Sequence, residues 1–334
     1  MPFQILSLSG GGFLGLYTIS VLAELERQIA APIATKFDLL AGTSVGGIIA
    51  LGLACEIPAA DIKSAFERNG TSIFSDRPAP KGALSKLWDV IARASFKPKY
   101  RSAALRRTIT EIIGEETTLG DLQHPCIVPT VNLTKGGPQV FKTDHHPDFR
   151  RDHLLRAVDV ALATSAAPTY FPIAQVNDGL YADGGMFANS PDLMALHEAE
   201  HFLGKSIADI RLLSVGTTTA RFSFSHESGV NFGLVRWSMG QRLVQAMISS
   251  QQQMVDFMVR HKLSDRYLRM DAQQSREQEQ ALALDVATLA AQSTIRSLAD
   301  VTVQANLNNP LLVSMLSHHA APATFFHRRH KPSS

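Results

Sequence analysis

The chain has few of the features that mark secreted, disulfide-stabilised or nucleic-acid-binding proteins. Its 334 residues include only two cysteines, Cys55 and Cys126, and both lie in apolar stretches. This usage excludes a disulfide framework and predicts buried thiols. The 32 basic and 30 acidic residues nearly balance, giving a formal net charge of +2. Because no excess of positive charge favours nucleic acid, we expect neither DNA nor RNA as a partner.

Leader and membrane-spanning patterns are equally absent from the sequence. The N-terminus starts directly with an apolar, strand-like run and carries neither a basic region nor a cleavage site, so we expect a cytoplasmic protein. Residues 39–54 form the most apolar stretch, but it contains a Gly-Thr-Ser-Val-Gly-Gly turn. That turn favours a buried strand and helix over a membrane span. The chain is long enough for one large core with an appended region.

Ser44 stands in the sequence Gly-Thr-Ser-Val-Gly, residues 42–46, between a strand-like and a helix-like apolar run. The pattern predicts a strand, a tight turn with the serine at its apex, and a helix. This is the arrangement of a nucleophile elbow, which exposes a serine hydroxyl at a helix N-terminus. Gly42 and Gly46 suit the turn because a side chain at either position would collide where strand and helix cross.

A glycine-rich turn follows the first predicted strand, residues 3–8. It reads Ser-Gly-Gly-Gly-Phe-Leu-Gly, residues 9–15, and precedes apolar residues at helical spacing from 16 to 29. Consecutive glycines leave backbone N–H groups free to converge, as an oxyanion hole requires, and each such donor stabilises an acyl-transfer transition state by about 3 kcal/mol. The predicted oxyanion residues are Gly11 and Gly12 as donors, with Gly10 shaping the loop and Gly15 supporting it.

The third motif is an Asp-Gly-Gly turn, residues 183–185, which follows an apolar pair and precedes a predicted helix. Asp183 supplies a carboxylate, and Gly184 and Gly185 allow another backbone segment to come close. Ser44 and Asp183 are far apart in the sequence, so only folding can bring them together.

In this order, the glycine loop, the Gly-x-Ser-x-Gly turn and the Asp-Gly-Gly turn resemble the patatin-like phospholipases. Residues 163–172 also resemble the segment that this family carries before its Asp-Gly-Gly turn. The similarity covers roughly residues 3–215. It implies an acyl hydrolase that acts on membrane phospholipids through a Ser–Asp dyad, with no histidine, metal or organic cofactor. It makes Ser44 the nucleophile and Asp183 the general base.

One position departs from the family pattern. The glycine loop of the family usually carries Arg or Lys where this chain has Leu14. Backbone donors do not depend on that side chain, so we expect the oxyanion hole to persist. The alternatives are a lipid-binding protein that keeps the fold without turnover, which Leu14 alone favours, and a constitutive lipase.

Alternating strands and helices predict an α/β fold with a mostly parallel central sheet covered on both faces, the three-layer patatin-like arrangement that the resemblance implies. From residue 217 the pattern changes to long helical runs. We therefore predict a catalytic domain at 1–216 and a helical C-terminal region at 217–334, packed on the core and a candidate for regulation. The predicted strands include 126–133 and 210–216, and the predicted helices include 152–164, 192–203, 234–259 and 278–305.

Two other arrangements compete with the dyad. His197 and His201, four residues apart beside two glutamates, offer a Ser-His-Asp triad or a metal pair. A solvated helix face explains them better, because no third ligand motif is visible. The glycine loop also matches the dinucleotide fingerprint G-x-G-x-x-G, with Asp38 where a ribose-binding acid would lie. Asp38 leads directly into the serine turn, which disfavours a Rossmann oxidoreductase.

Two further segments carry clustered basic residues. Residues 77–101 contain seven Lys or Arg against one Asp, interleaved with apolar residues. That composition suits a lid on anionic membrane headgroups, and equally an amphipathic helix packed on the core. His318, His319 and the run 325–331 are interpreted as a frayed tail.

A phospholipase inside a cell needs an off-state, since it would otherwise degrade the cell's own membrane. Residues 5–18 and 164–172 resemble the CapV-type phospholipases of anti-phage CBASS operons, which a cyclic dinucleotide activates. The resemblance implies such an effector and identifies no contact residue. We place its site in the helical C-terminal half, where arginines would pair with phosphates and an aromatic ring would stack on a base. The candidates are Arg236, Arg242, Arg260, Arg266 and Arg269, with Trp237 or Tyr267. A homo-oligomer is left open.

Overall fold

The computed structural model describes residues 2–74, 98–218 and 242–328, with isolated positions between 219 and 241. An eight-stranded sheet lies at its centre, with the strand order β5-β6-β3-β2-β1-β7-β8 and with β4 paired to β3. The strands are β1 (Phe3–Leu8), β2 (Leu39–Gly42), β3 (Cys126–Asn132), β4 (Gly137–Lys142), β5 (Ala174–Val176), β6 (Gly179–Asp183), β7 (Ile210–Val215) and β8 (Tyr267–Met270).

The sheet is mixed rather than uniformly parallel. The neighbours from β3 through β2, β1 and β7 to β8 are all parallel. The pairs β3–β4, β3–β6 and β5–β6 are antiparallel. The predicted mostly parallel arrangement is therefore confirmed for the half of the sheet from β3 to β8. The other half contains two hairpins, whose short connections permit only antiparallel pairing.

Helices cover both faces of the sheet, as the three-layer prediction requires. They are α1 (Gly15–Ile29), α2 (Val45–Ala54), α3 (Ala59–Ile73), α4 (Ser102–Ile113), α5 (Ala157–Thr164), α6 (Gly185–Ala188), α7 (Asp192–His197), α8 (Arg242–Leu263), α9 (Arg276–Ala281), α10 (Leu289–Asn306) and α11 (Pro310–Ser317). The predicted helix at 152–164 starts late, because residues 152–154 form a 3-10 turn. The predicted 192–203 helix ends in a π-helical turn, Glu198–Phe202.

Successive side chains of a strand point to opposite faces of the sheet, so the interior consists of two hydrophobic cores, one on each face. In β1, Leu6 and Leu8 face a large core shared with α1, α2, α3, α4, α5 and α10. Phe3 and Ile5 face a smaller core that α7 and α8 cover. A strand buried on both faces needs apolar residues at successive positions, which β1 has at Ile5 and Leu6.

The region after residue 217 is less uniformly helical than predicted. It contributes β8, whose parallel register with β7 extends the central sheet. The predicted 278–305 helix is interrupted between α9 and α10 by residues 282–288. In the described parts of the chain, no helix combines the length and apolar character needed to cross a membrane.

The described part of the C-terminal tail, residues 318–328, is hydrogen-bonded to distant segments, so the frayed-tail interpretation is wrong for that part. The Ala320 N–H donates to the Thr35 carbonyl oxygen at 2.9 Å. Further along, the Phe326 N–H donates to the backbone oxygen of Asp144 at 3.0 Å. The His327 N–H reaches the Asp144 side chain at 2.7 Å. Backbone hydrogen bonds of this kind depend on tertiary position rather than on local composition.

Candidate active site

Ser44 lies at the turn between β2 and α2 in a conformation that few non-glycine residues adopt. Its φ is 55° and its ψ is −126°. Side chains built at Gly42 and Gly46 would collide with the carbonyl oxygens of Gly46 and Leu8, respectively. The predicted elbow is therefore present, and its glycines lie where strand and helix cross. Backbone strain of this kind persists only where the surroundings hold it in place.

Asp183, at the end of β6, lies against the serine. The Ser44 hydroxyl donates to Asp183 Oδ2 at 2.7 Å. The other carboxylate oxygen, Oδ1, accepts from the Gly185 N–H at 2.7 Å. A side chain at Gly184 would collide with the Pro129 carbonyl oxygen, which shows why this turn carries glycine. Folding thus brings together the two residues predicted as nucleophile and base.

The environment of Asp183 alters its acid–base chemistry. Burial raises the pKa of its carboxyl from 3.8 to about 6, while the hydrogen bonds from Gly185 and Ser44 partly oppose the rise. Desolvation has this effect because it penalises the charged form. A carboxylate with a pKa of about 6 is mostly ionised at pH 7, yet it accepts a proton far more readily than a free aspartate.

The glycine loop lies beside the serine, and Gly10 within it makes three hydrogen bonds. The Gly10 N–H donates to the Asn189 carbonyl oxygen at 2.9 Å. Its own carbonyl oxygen accepts from Asn189 Nδ2 at 3.2 Å and from Thr217 Oγ1 at 3.0 Å. In the described part of the chain, the N–H groups of Gly11 and Gly12 have no acceptor. This division matches the predicted roles, in which Gly10 shapes the loop and the next two glycines donate.

The second half of the loop is anchored by the C-terminal region. The Phe13 N–H donates to the Leu284 carbonyl oxygen at 2.7 Å. Gly12 has a φ of +56°, and a side chain there would collide with the same carbonyl oxygen. Leu14, which replaces the basic residue of the family pattern, is only 3% exposed and packs in the large core. The loop is therefore fixed by backbone, amide and hydroxyl contacts, and none of them requires a basic side chain at position 14.

Thr164 holds the elbow from the opposite side, a role that the sequence did not indicate. Its Oγ1 accepts from the Ser44 N–H at 3.0 Å and donates to the Pro129 carbonyl oxygen at 2.7 Å. The same segment contacts the Asp-Gly-Gly turn, because the Asp183 N–H donates to the Ala166 carbonyl oxygen at 3.0 Å. One threonine thus links the nucleophile to the strand beside the carboxylate.

Val45 adds a further backbone donor that the sequence analysis missed. It is the first residue of α2, and its N–H has no acceptor among the described residues. In nucleophile elbows the residue after the serine commonly contributes to the oxyanion hole. That rule, applied to the Gly-x-Ser-x-Gly match, was the signal that could have identified it.

Comparison with known proteins supports the same interpretation. Residues 6–196 match the family model described as patatin-like phospholipase. The chain belongs to the patatin-like phospholipase family. A protein of Pseudomonas aeruginosa named cGAMP-activated phospholipase is 41% identical over 98% of this chain and 96% of its own length. Proteins of the same name from Vibrio cholerae and Escherichia coli are 38% and 37% identical, over 88% and 85% of this chain and 88% and 84% of their own lengths.

Family membership confirms the predicted fold class and the predicted enzyme class, a phospholipid ester hydrolase. It also disfavours the oxidoreductase alternative, since the glycine loop, residues 9–15, belongs to the matched patatin-like region. In this phospholipase, Asp38 instead accepts from the Gln4 N–H at 2.7 Å and so ties β1 to the start of β2.

The described histidines of this patatin-like protein lie away from the dyad. In the described chain, no histidine is hydrogen-bonded to Ser44 or Asp183. His197 and His201 stack on each other with ring centroids 5.2 Å apart, beside Phe202. Among the described residues, no group of three or more His, Cys, Asp or Glu could hold a metal ion.

Three of the arginines proposed for the effector, and Tyr267, are bonded to residues of the protein itself. Arg269 Nη2 lies 2.7 Å from Asp271 Oδ2, and Arg269 Nη1 donates to Ser214 Oγ at 2.8 Å. Tyr267 donates to the buried Asp192 carboxylate at 2.9 Å. Arg266 binds the carbonyl oxygens of Ile207 and Ile210, and Arg260 pairs with Asp256. These four residues therefore hold β8 and α8 in place, and Arg236 lies outside the described residues.

The predicted basic lid, residues 77–101, falls mostly outside the described residues. Its end is described, and there Lys99 Nζ lies 2.5 Å from Asp285 Oδ2. The Tyr100 hydroxyl donates to the same oxygen at 2.9 Å. Asp285 is adjacent to Leu284, which anchors the glycine loop. The end of this segment therefore contacts Asp285, whose neighbour Leu284 holds the glycine loop.

Proposed function

We propose that Ser44 and Asp183 form the catalytic dyad with which this phospholipase hydrolyses acyl esters of membrane phospholipids. The observation that carries the proposal is the 2.7 Å hydrogen bond from the Ser44 hydroxyl to a buried carboxylate whose pKa is raised to about 6. A serine hydroxyl becomes a useful nucleophile only when a neighbouring base takes its proton. Asp183 is the base within reach.

The geometry supports a two-step reaction. Ser44 Oγ attacks the acyl carbonyl carbon as its proton passes to Asp183, and the resulting oxyanion accepts hydrogen bonds from Gly11 and Gly12, with Val45 as a third donor. The tetrahedral intermediate collapses, and Asp183 returns the proton to the departing alcohol. Water then attacks the acyl-enzyme, gives its proton to Asp183, and releases the fatty acid as Ser44 recovers a proton. Each backbone donor contributes about 3 kcal/mol to the transition state.

We further propose that a cyclic dinucleotide activates the enzyme, that the protein acts at the inner surface of the cytoplasmic membrane, and that this activity serves anti-phage defence. The support is the relative from Pseudomonas aeruginosa named cGAMP-activated phospholipase, which matches nearly the whole of both chains. Activation then shifts the protein toward a state in which loop and dyad are competent. No residue of this chain is proposed to contact the effector.

Substitution of each dyad residue tests the catalytic proposal. Ser44→Ala and Asp183→Ala should each abolish fatty acid release from mixed phospholipids, and the double variant should be no worse than either, because both act in one proton transfer. His197→Ala and His201→Ala are the matched controls and should stay active. Substantial activity in Asp183→Ala would overturn the dyad and favour a histidine base.

Titration with cGAMP tests the proposed regulation. Fatty acid release by the purified protein should be nearly silent without nucleotide and should rise with cGAMP concentration to saturation. Full activity without nucleotide, unchanged by a panel of cyclic dinucleotides, would contradict the effector and leave a constitutive lipase. The dyad proposal would survive that outcome.

A further inference from the structure

The longest described helix, α8, exposes apolar side chains along one face. Six of them are between 41% and 64% exposed, although soluble helices usually turn such residues inward. At 100° per residue, five of the six fall within one narrow stripe, and the remaining one, Val244, lies beside it. The members of this α8 apolar face are Leu243, Val244, Met247, Met254, Phe257 and Met258.

This face is distinct from the side of α8 that packs on the protein. Ser249, Val255, Val259 and Leu263 are the buried residues of the helix, and the last three belong to the smaller core. At 100° per residue their mean direction is opposite to that of the stripe, and Val255 lies at the boundary beside Val244. The helix thus has one apolar side that the sheet covers and a second that no described residue covers, so the second requires another explanation.

The α8 helix contacts α6, the short helix that follows the turn carrying Asp183. Gln251 Nε2 donates to the Met186 carbonyl oxygen at 2.7 Å, which ties α8 to α6. Met186 lies three residues after Asp183, and its side chain is 41% exposed. An exposed apolar side chain, Met186, therefore stands between the turn that carries the proposed base and the helix.

The charges of α8 complement an anionic surface. Its sequence holds one acidic residue, Asp256, and that carboxylate pairs with Arg260 at 2.9 Å. Two further basic residues, Arg242 and Lys262, stand near the two ends of the helix. Apolar side chains flanked by Arg and Lys are the composition of helices that lie in the membrane–water interface.

We propose that the α8 apolar face docks this enzyme on an anionic phospholipid bilayer, so that α6 and the dyad open toward the lipid. The proposal rests on the phospholipase function proposed above, because it explains how a site at the end of a sheet reaches lipids packed in a membrane. Met254 and Phe257 are the main anchors, since they are the two most exposed members of the C-terminal half of the stripe.

Vesicle binding by a Ser44→Ala background tests the docking surface without lipid breakdown. The vesicles contain phosphatidylcholine with about 30% phosphatidylglycerol, and bound protein is measured by sedimentation with and without cGAMP. Met254→Gln with Phe257→Gln should lower the partition constant about a hundredfold, since each buried Met or Phe contributes roughly tenfold. Glutamine keeps the helix, because its helix propensity is high.

Two exposed apolar residues on the opposite helical layer provide the matched control. Leu289→Gln with Val301→Gln on α10 removes similar apolar surface and should leave vesicle binding unchanged. The same substitutions are also made in proteins that retain Ser44, and hydrolysis is measured on vesicles and on a monodisperse short-chain ester. The ratio of the vesicle rate to the ester rate should fall for the two α8 substitutions and stay unchanged for the two α10 substitutions.

Each other outcome would overturn the docking surface. Vesicle binding equal to that of the parent after the α8 substitutions would exclude it. If those substitutions convert a dimer into a monomer in light scattering while vesicle binding persists, a second copy of the chain covers the face instead. Loss of ester hydrolysis in Ser44→Ala alone tests the catalytic proposal separately, so the two proposals fail independently.

Discussion

At the scale of single residues, the pKa of Asp183 decides how the rate depends on pH. The carboxylate must be ionised to accept the serine proton, so kcat/KM should fall about tenfold per pH unit below a pKa of about 6 and level off above it. The measurement is hydrolysis of a monodisperse ester between pH 4.5 and 8. A midpoint near 7 that disappears in a histidine variant would contradict the assignment.

A stability measurement on Asp183→Asn separates loss of the base from loss of the fold. Because burial raises the pKa of Asp183 from 3.8 to about 6, its charged form costs the folded state about 3 kcal/mol above pH 6. Asparagine carries no charge and can keep the contacts with Gly185 and Ser44. The variant should therefore be inactive but more stable at pH 8, with the gain vanishing as the pH falls below about 4.

Thr164 gives a second prediction at this scale. Thr164→Val leaves the Ser44 N–H and the Pro129 carbonyl oxygen without their partner, which should cost about 1–3 kcal/mol of stability. Displacement of the elbow should also lower kcat by about tenfold to a hundredfold. Thr164→Ser keeps the hydroxyl and should restore both. Equal activity in the valine and serine variants would show that this hydroxyl does not position Ser44.

The sequence predicted the residues whose signal is local. Ser44 and Asp183 each lie in a turn whose glycines exclude other residues on steric grounds, so a short pattern identifies them. Thr164 and Asn189 act through hydrogen bonds to segments far along the chain, and their residue types are common in such contacts. Nothing in a single sequence distinguishes a threonine that holds an elbow from one that caps a helix.

At the scale of elements, the glycine loop depends on the segment between α9 and α10. Gly12→Ala adds a methyl group that would collide with the Leu284 carbonyl oxygen, at a residue whose φ is +56°. The loop must therefore shift, and its N–H groups no longer point at the oxyanion. Activity should fall at least about a hundredfold, the cost of one oxyanion donor. Gly137→Ala, whose added methyl group meets open space, is the matched control and should be unchanged. A fully active Gly12→Ala would remove this loop from the oxyanion hole.

The elements that the sequence misjudged share one physical cause. β8 follows a 3-10 turn and is only four residues long, so its sequence carries too few positions for a period to be visible. Its position is set by backbone hydrogen bonds to β7, which would otherwise be the edge strand of the sheet. The long helical runs were predicted because a period of 3.6 accumulates over many residues, although it does not fix where a helix ends.

At the scale of the whole molecule, the C-terminal tail acts as a strap across the large core. Its backbone bonds reach Thr35 beside β2 and Asp144 after β4, which are far apart in the sequence. Deletion of residues 318–334 removes these three bonds and the side-chain contacts of the described tail, and it should lower the free energy of unfolding by at least about 3 kcal/mol. Thermal and denaturant unfolding measure the loss. A truncated chain as stable as the full one would show that the strap contributes nothing to the fold.

The proposed mechanism requires that Ser44 is the nucleophile and that Asp183 activates it. The measurement is mass spectrometry of the protein after reaction with a fluorophosphonate in the presence of cGAMP. In that reaction phosphorus bonds to the serine oxygen, fluoride leaves, and the serine proton passes to Asp183. We predict one label per chain on the peptide that contains Ser44, no label in Ser44→Ala, labelling slowed at least about a hundredfold in Asp183→Asn, and an unchanged rate in His197→Ala. A label on another serine, or an undiminished rate in Asp183→Asn, would contradict the account.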